Sequence, residues 1–230
     1  MIKHIDTNIW TLDGADIVFA GAPMNTRMTI VRLSQGGLWI HSPISLSQEV
    51  LDFLSELDAP VVALIVPNKL HYLFVEQWIK AYPSAQVFAD AQALDKVGEL
   101  GAIEVLGETA PASFARDIDQ VIFSGSRLFQ EVVFFHKTSG SVIFTDLLIN
   151  LKTSNVPFFS RLFLRFEGVI YPDGGLLRLY RWFTNRREKD RQALRILQSW
   201  KPKRLLFCHG EAFEKAPAQL IAQEFGYLEK

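Results

Sequence analysis

The stretch at residues 61–71 decides the fold of this chain and reads Val61-Val62-Ala63-Leu64-Ile65-Val66-Pro67-Asn68-Lys69-Leu70-His71. Its first six residues form a continuous apolar run, which is typical of a strand that is buried on both faces. Two further apolar runs also end in polar side chains, at Phe144-Thr145-Asp146 and at Cys208-His209-Gly210. Strands that each deliver a polar or metal-capable residue at the C-terminal end predict a site assembled from distant parts of the chain.

Strand and helix patterns alternate through the first half of the chain. Short strands are predicted at residues 8–12, 28–32, 38–40, 61–66 and 84–89, and helices at residues 45–57 and 71–80. Ser47 is the expected N-cap of the first helix, because serine hydroxyls accept hydrogen bonds from the first turn. The order strand, helix, strand around residues 61–89 predicts parallel pairing through a crossover helix.

The second half of the chain also contains strand and helix patterns, although it does not repeat the sequence of the first half. Strands are predicted at residues 103–106, 120–123, 131–136, 141–145 and 204–208, and helices at residues 186–200 and 217–225. The strands at 131–136 and 141–145 flank a short polar turn, which indicates a hairpin. Two halves of this kind predict an α/β fold, an αββα sandwich with two sheets face to face and helices outside. Because no low-complexity linker interrupts the chain, we expect one domain over residues 1–230.

The composition excludes several classes of protein. Of the 230 residues, 49% are hydrophobic and 21% are charged, which is ordinary for a soluble globular protein. The formal net charge of −1 gives no overall field that would attract nucleic acid. A single cysteine, Cys208, rules out an intrachain disulfide. No secretory leader and no membrane-spanning run is recognisable, so we expect a cytoplasmic protein.

Several of these segments carry a family resemblance that covers the whole chain. The resembling residues are Arg27-Met28-Thr29, Leu38-Trp39-Ile40-His41-Ser42-Pro43, Pro67-Asn68 with His71, Ala81-Tyr82-Pro83, Phe144-Thr145-Asp146 and His209-Gly210. The chain resembles a divergent branch of the metallo-β-lactamase superfamily, one catalogued as a domain of unknown function. The resemblance implies an αββα sandwich of that type, with two mixed sheets, and a family-specific insertion at residues 156–182.

The resemblance breaks at the His-x-His-x-Asp-His signature of the superfamily. Val66 and Asn68 stand where the first two histidines would be, Leu70 replaces the aspartate, and His71 matches the last histidine. The next ligand histidine would fall near residues 124–127, where there is none. Valine and leucine cannot bind a metal, and an asparagine oxygen is a weak zinc ligand. The first of the two usual metal sites is therefore expected to be absent.

What the resemblance leaves is a site for one metal ion. Asp146 and His209 match the bridging aspartate and the final histidine, so His71, Asp146 and His209 are the expected ligands of one zinc, iron or manganese ion, unless no metal binds. His41 holds the place of an aspartate near the metal in the superfamily and could be a fourth member. His41 or Glu131 would orient water or take its proton, and Glu131 could instead supply a carboxylate ligand or pair with Arg127. Asn68 would be a ligand or a substrate hydrogen-bond donor, or simply cap the following helix.

Three functions remain open at this point. The first is a mononuclear metal-dependent hydrolase of a small ester, thioester or phosphoester. The second is a pseudoenzyme that binds a small ligand or a protein through the retained cleft. The third is a membrane-peripheral role for the aromatic and arginine-rich residues 158–187. The overlapping apolar residues 156–182 could form a protruding face that meets a partner or a membrane surface, or a buried helix.

Overall fold

Two β-sheets lie face to face at the centre of the molecule, whose computed structural model describes residues 1–19, 22–154 and 156–229. The strands of the first half are β1 (Ile2–Asp6), β2 (Ile9–Asp13), β3 (Ile17–Phe19), β4 (Ala22–Met24), β5 (Arg27–Arg32), β6 (Leu38–His41), β7 (Val61–Val66), β8 (Gln86–Ala89) and β9 (Ile103–Val105). Seven of them form the larger sheet in the order β1-β2-β5-β6-β7-β8-β9, while β3 and β4 form a separate ribbon. From β6 to β9 the strands are parallel, as the crossover pattern predicted.

The second half of the chain supplies the smaller sheet. Its strands are β10 (Ile118–Phe123), β11 (Glu131–His136), β12 (Ser141–Phe144), β13 (Leu148–Ile149), β14 (Gly175–Leu176) and β15 (Arg204–Phe207). The sheet order is β10-β11-β12-β15, and β13 pairs only with β14. β11 and β12 form the predicted antiparallel hairpin, and β15 joins β12 in parallel. Both sheets are therefore mixed, as expected.

Helices cover the outer face of each sheet. They are α1 (Gln48–Glu56), α2 (Val75–Ala81), α3 (Leu94–Val97), α4 (Phe158–Glu167), α5 (Arg178–Phe183), α6 (Arg187–Ser199) and α7 (Pro217–Phe225), with short 3-10 turns at Ala91–Ala93, Gly98–Leu100 and Gly226–Leu228. Apolar side chains of α1, α2 and α3 pack on the larger sheet, and those of α5, α6 and α7 pack on the smaller one. Ser47 caps α1 by accepting a hydrogen bond from the Val50 backbone. The αββα prediction is confirmed.

A layer of apolar side chains joins the inner faces of the two sheets. Ile65 and Phe88 of the larger sheet belong to one buried cluster with Phe134 and Ile143 of the smaller sheet. Trp39 meets Phe134 edge to face with ring centroids 5.1 Å apart, a favoured aromatic geometry. This layer sets the distance between the sheets, and so fixes where their strand ends meet.

The segment between β7 and α2 differs from the prediction. The helix expected from His71 begins only at Val75, and residues 68–74 form turns. The Oδ1 atom of Asn68 accepts hydrogen bonds from the backbone N–H groups of Leu70 and His71, at 2.8 and 3.2 Å. An asparagine side chain that binds backbone two residues on stabilises a turn instead of a helix. His71 consequently lies on a turn at the edge of the sheet.

The parallel strand pairs bring their C-terminal ends to one edge of the sandwich. At this edge the Val132 N–H of β11 donates to the Pro67 carbonyl that follows β7, at 2.9 Å, and so ties the two sheets together. Ser42, Asn68, Asp146 and His209 all follow strands that end here. In the described part of the chain, no helix is long and apolar enough to cross a membrane.

Candidate metal centre

Three side chains from distant segments converge at this edge. His71 Nε2 lies 3.1 Å from Asp146 Oδ2, and His209 Nε2 lies 3.3 Å from Asp146 Oδ1. The two Nε2 atoms are 3.3 Å apart. Among the described residues, these three form the group of histidine, cysteine and carboxylate side chains with metal-binding spacing. The structure therefore brings together the three residues that the sequence predicted as ligands.

Each histidine ring is oriented by a hydrogen bond at its other nitrogen, Nδ1. The Nδ1 of His209 donates to the backbone carbonyl of Asn25 at 2.6 Å, so that Nε2 is the ring nitrogen that faces Asp146. The Nδ1 of His71 shares a hydrogen bond of 2.5 Å with the hydroxyl of Ser42. A hydrogen bond on the second nitrogen is the usual way in which a protein orients a metal-binding histidine. Both rings thus turn Nε2 towards Asp146.

Hydrogen bonds also fix the carboxylate of Asp146 and the turn that carries it. Asn68 Nδ2 donates to Asp146 Oδ2 at 2.7 Å and to the Thr145 hydroxyl at 3.0 Å. Glu131 accepts the backbone N–H groups of Thr145, Asp146 and Leu147 at 2.7 to 2.9 Å. These contacts fix the turn after β12, because a buried carboxylate that accepts three N–H groups strongly favours one backbone conformation.

The local charges favour an ionised Asp146. Burial alone would raise the pKa of Asp146, but the charge of His71 and the hydrogen bonds from both rings outweigh it and hold the pKa well below its usual range. Burial lowers the pKa of His209, whereas the hydrogen bond and charge of Asp146 raise it, and the net shift is upward. The site is therefore built around one negative charge that two imidazoles face.

The backbone after β15 places His209. Gly210 has a φ of +96°, and its Cα lies so close to the backbone of Asn150 that a side chain would overlap the Asn150 carbonyl oxygen. Arg27, buried in β5, donates to the carbonyls of Phe207 and Gly210. The turn after β15 is thus fixed on both sides of His209.

His41 and Glu131 lie outside this cluster. The His41 ring is completely buried, stacks on Trp39, and has only the Cys208 sulfur, at 3.9 Å, beside its Nδ1. Burial holds the pKa of His41 well below its usual range, so the ring is neutral. Its Nε2 has no hydrogen-bond partner in the described structure. This placement does not support the expected roles of His41 as a fourth ligand or water-orienting group.

Glu131 and Asn68 also differ from their expected roles. Burial, together with the charge of Asp146, raises the pKa of Glu131, yet the carboxylate oxygens already accept backbone N–H groups and do not line the cavity. The geometry gives Glu131 a structural role in place of proton transfer. Asn68 is completely buried and both holds Asp146 and stabilises the turn that carries His71. It is placed to orient a ligand, and not to contact a substrate.

Sequence reasoning missed Ser42 and Asn25. Ser42 has a φ of +54°, which is uncommon for a serine and turns its hydroxyl towards His71. Asn25 contributes its carbonyl to His209, and its side-chain oxygen accepts the Gly210 N–H at 2.8 Å. The position of Ser42 at the end of β6 was an available signal, because the other site residues also follow strands. Asn25 gave no signal, since its contact with the ring is made by the backbone.

A cavity of about 250 Å³ opens beside the three side chains. His71, Asp146 and His209 line one side, and the remaining wall is mainly apolar. The apolar lining residues are Ile17, Val18, Met24, Pro43, Ile44, Leu70, Leu73 and Phe74. An apolar cavity with a few convergent polar groups is the usual form of a small-molecule site.

The donor set fits one metal ion. One ligand atom from each of the three side chains lies within 4.8 Å of the other two, and the two imidazoles contact different carboxylate oxygens of Asp146, at 3.1 Å for His71 and 3.3 Å for His209. Two histidines and one carboxylate suit zinc, and the same set with open positions holds ferrous iron in many enzymes. The anchored Nδ1 atoms supply the outer hydrogen bonds that such sites require.

The αββα sandwich, with the candidate site at one edge, has the metallo-β-lactamase fold. Residues 6–165 match the model of the family described as "Domain of unknown function (DUF4336)", and the chain belongs to that family. None of the curated proteins matches the chain.

Solved structures of similar fold span the whole chain. A metallo-β-lactamase from Pontibacter korlensis is 12% identical and has a TM-score of 0.63, with 100% of this chain and 99% of that chain covered. FIM-1 from Pseudomonas aeruginosa, in its mono-zinc form, is 9% identical with a TM-score of 0.63 and coverage of 99% and 95%. The metal-soaked Flv1 flavodiiron core from Synechocystis is 10% identical with a TM-score of 0.69, over 100% of this chain and 60% of that one. At these identities the likeness concerns the fold alone.

Proposed function

We propose that this protein binds one divalent metal ion through His71, Asp146 and His209 and hydrolyses a small ester, thioester or phosphoester. One observation carries the proposal: both imidazoles are anchored through Nδ1 and present Nε2 to the same carboxylate. A merely structural histidine pair has no need for this matched arrangement, whereas a metal site depends on it.

Each residue would have a separate role in such a metal site. His71, Asp146 and His209 would hold the ion, Ser42 orients His71, and Asn68 orients Asp146. A bound zinc, iron or manganese ion would supply a Lewis acid and lower the pKa of water to about 7. Three protein ligands would leave the fourth coordination position of the ion open for water, as hydrolysis requires.

The cavity wall indicates the kind of substrate. Apolar side chains such as Met24, Ile44 and Phe74 surround the space beside the three candidate ligands. They would bind an alkyl, acyl or aryl group and keep bulk water away from the reacting bond. We therefore propose a substrate with a small apolar part next to the scissile ester, thioester or phosphoester.

Metal uptake by the His209→Ala variant tests the proposal directly. The wild-type protein, dialysed free of metal and then titrated with zinc, ferrous iron or manganese, is expected to retain close to one equivalent of at least one ion by elemental mass spectrometry. The H209A variant should retain none, because two remaining ligands bind too weakly. His4→Ala is the matched control, since His4 is exposed on β1 and far from the site in sequence, and it should bind as the wild type does.

Hydrolysis of p-nitrophenyl acyl esters, acyl thioesters and p-nitrophenyl phosphoesters is the second measurement. Turnover should require the added metal and disappear in H209A but not in H4A. Metal binding without turnover on esters, thioesters or phosphoesters would contradict the hydrolase. Absence of metal uptake by the wild type would overturn the metal site and favour the pseudoenzyme that binds a ligand in the same cavity.

We place this activity in the cytoplasm. The support is that Cys208, the single cysteine of the chain, is buried and free, so the fold uses no disulfide. Fractionation of cells that express the native protein would test the location, and recovery only from an extracytoplasmic fraction would contradict it.

A further inference from the structure

The helix α4 exposes an aromatic face. Phe158, Phe159, Leu162, Phe163 and Phe166 recur at helical spacing along one side, and the first three are 72%, 82% and 57% exposed. On another side Leu164 is buried against Val156 and Val169. More than half of the large hydrophobic side chains that are exposed in the described residues lie between Phe158 and Phe183. A concentration of this kind marks an interaction surface.

The short helix α5 extends the same face. Trp182 is 62% exposed and meets Phe166 at 5.5 Å between ring centroids, and Phe183 beside it is exposed as well. The guanidinium of Arg178 lies over the Phe166 ring at 5.7 Å. We call this surface the aromatic face. It consists of the exposed side chains of residues 158–166 and of residues 178–183.

The charges around the aromatic face are almost all positive. Arginines stand on or next to it at positions 161, 165, 178, 181, 186 and 187, whereas the exposed acidic residues within described positions 156–188 are Asp173 and Glu188. Glu167 is completely buried and accepts a backbone hydrogen bond from Leu179. In the described structure, no carboxylate lies within ion-pair distance of Arg161, Arg165 or Arg178. These cations are available to an external anion.

We propose that the aromatic face docks this protein on a lipid bilayer that contains anionic lipids. Aromatic rings and leucine would enter the boundary between headgroups and acyl chains, and the arginines would pair with the lipid phosphates. Interfacial amphipathic helices combine these features, with Trp, Phe and Leu on one face and basic residues beside it. Arginine suits phosphate groups because its guanidinium offers a planar, bidentate fork.

A second copy of the chain fits the aromatic face less well. A two-fold dimer through this face would place the same patch against itself. The unpaired arginines 161, 165 and 178 would then oppose one another, with Asp173 and Glu188 as the exposed acids of this stretch, and like charges across an interface cost free energy. An anionic bilayer offers the complementary sign over the whole face, which is why the charges favour it.

The docked orientation would bring the candidate metal site close to the bilayer. Leu164 of α4 belongs to one small apolar cluster with Met24 of β4, and Ile17 of β3 packs against the same cluster. Ile17 and Met24 also line the cavity beside the three candidate ligands. The aromatic face and the cavity wall are thus built on one shared core.

Vesicle flotation tests the proposal with the full chain. Vesicles of phosphatidylcholine alone are compared with vesicles that also contain phosphatidylglycerol, at low and at high salt. Phe158→Ser combined with Phe159→Ser should weaken binding at least about tenfold. Arg161→Gln and Arg165→Gln should weaken it about five-fold each. Matched controls are Leu51→Ser on α1 and Arg116→Gln, which are exposed on other parts of the surface and should bind as the wild type does.

Each outcome decides the question. Binding that needs the anionic lipid, weakens with salt and is lost in the aromatic variant supports the proposal. Failure to float with either vesicle, or equal binding to both, overturns it. Sedimentation analysis is the parallel measurement, and a dimer that the phenylalanine variants dissociate, without vesicle binding, would assign the aromatic face to a second copy. None of these results depends on the metal, so they stand apart from the proposed hydrolysis.

Discussion

Asn68 shows how much one buried side chain contributes at the residue scale. Its amide nitrogen holds the Asp146 carboxylate at 2.7 Å, and its oxygen fixes the turn that carries His71. Through these hydrogen bonds one asparagine side chain orients two of the three candidate ligands. Glu131 complements it by accepting the backbone N–H groups of the turn that carries Asp146.

Asn68→Ala should lower the affinity for the bound metal by about 10–100-fold, the usual effect of losing an outer hydrogen-bond partner. The cause is the loss of the hydrogen bond to Asp146 and of the turn contact to His71. Titration of the apoprotein with zinc against a chelator of known affinity would measure the change. Asn185→Ala is the control, because Asn185 is an exposed asparagine outside the site. Equal affinities for the two variants would contradict a role of Asn68 in holding the ligands.

At the scale of elements, the turn after β15 illustrates a contact that only glycine permits. Gly210 combines a φ of +96° with direct backbone contact to Asn150, and the adjacent His209 carbonyl accepts the Asn150 N–H at 3.2 Å. The β15 end, the segment after β13 and the site are therefore packed against one another without intervening side chains.

Gly210→Ala should lower the free energy of unfolding by about 3 kcal/mol or more, because strain at positive φ adds to a steric overlap with Asn150. Gly36→Ala is the matched control. Gly36 has a φ of +92° but open space around its Cα, so it should cost only the backbone term of about 1 kcal/mol. Urea unfolding of both variants measures the difference. Equal losses would show that the close approach at Gly210 does not constrain the fold.

At the scale of the whole molecule, the two sheets depend on one another through the apolar layer between them. Phe134 is completely buried and contacts both Trp39 and His41 of the opposite sheet. We propose that residues 1–230 form one domain, because this layer and the Pro67–Val132 hydrogen bond connect the halves.

Phe134→Ala should destabilise the protein by about 3–5 kcal/mol, as expected for a phenylalanine removed from a packed core. Phe159→Ala, at the most exposed phenylalanine of the aromatic face, should change the stability by no more than about 0.5 kcal/mol. Thermal unfolding followed by circular dichroism and by tryptophan fluorescence gives both values. Under the single-domain proposal the two probes report the same transition, and separate transitions for the two sheets would contradict it.

Local sequence patterns were enough to predict the architecture and, together with the family resemblance, the candidate ligands. Apolar runs such as Val61–Val66 and Arg204–Phe207 are local patterns, and the order of strands and helices restricts the topology to few choices. Polar residues placed after these strands pointed to His71, Asp146 and His209, which the structure brings together. These features depend on residue type and spacing, which a sequence contains in full.

The roles of the neighbouring polar residues depend on tertiary packing. His41 lies at a strand end, as the candidate ligands do, yet its side chain points between the sheets. The carboxylate of Glu131 accepts hydrogen bonds from backbone N–H groups. Whether a side chain faces a cavity or a core depends on the packing of segments that are far apart in sequence. For the same reason the sequence left residues 156–182 open between a buried helix and an exposed face, and only the packed structure leaves their aromatic rings uncovered.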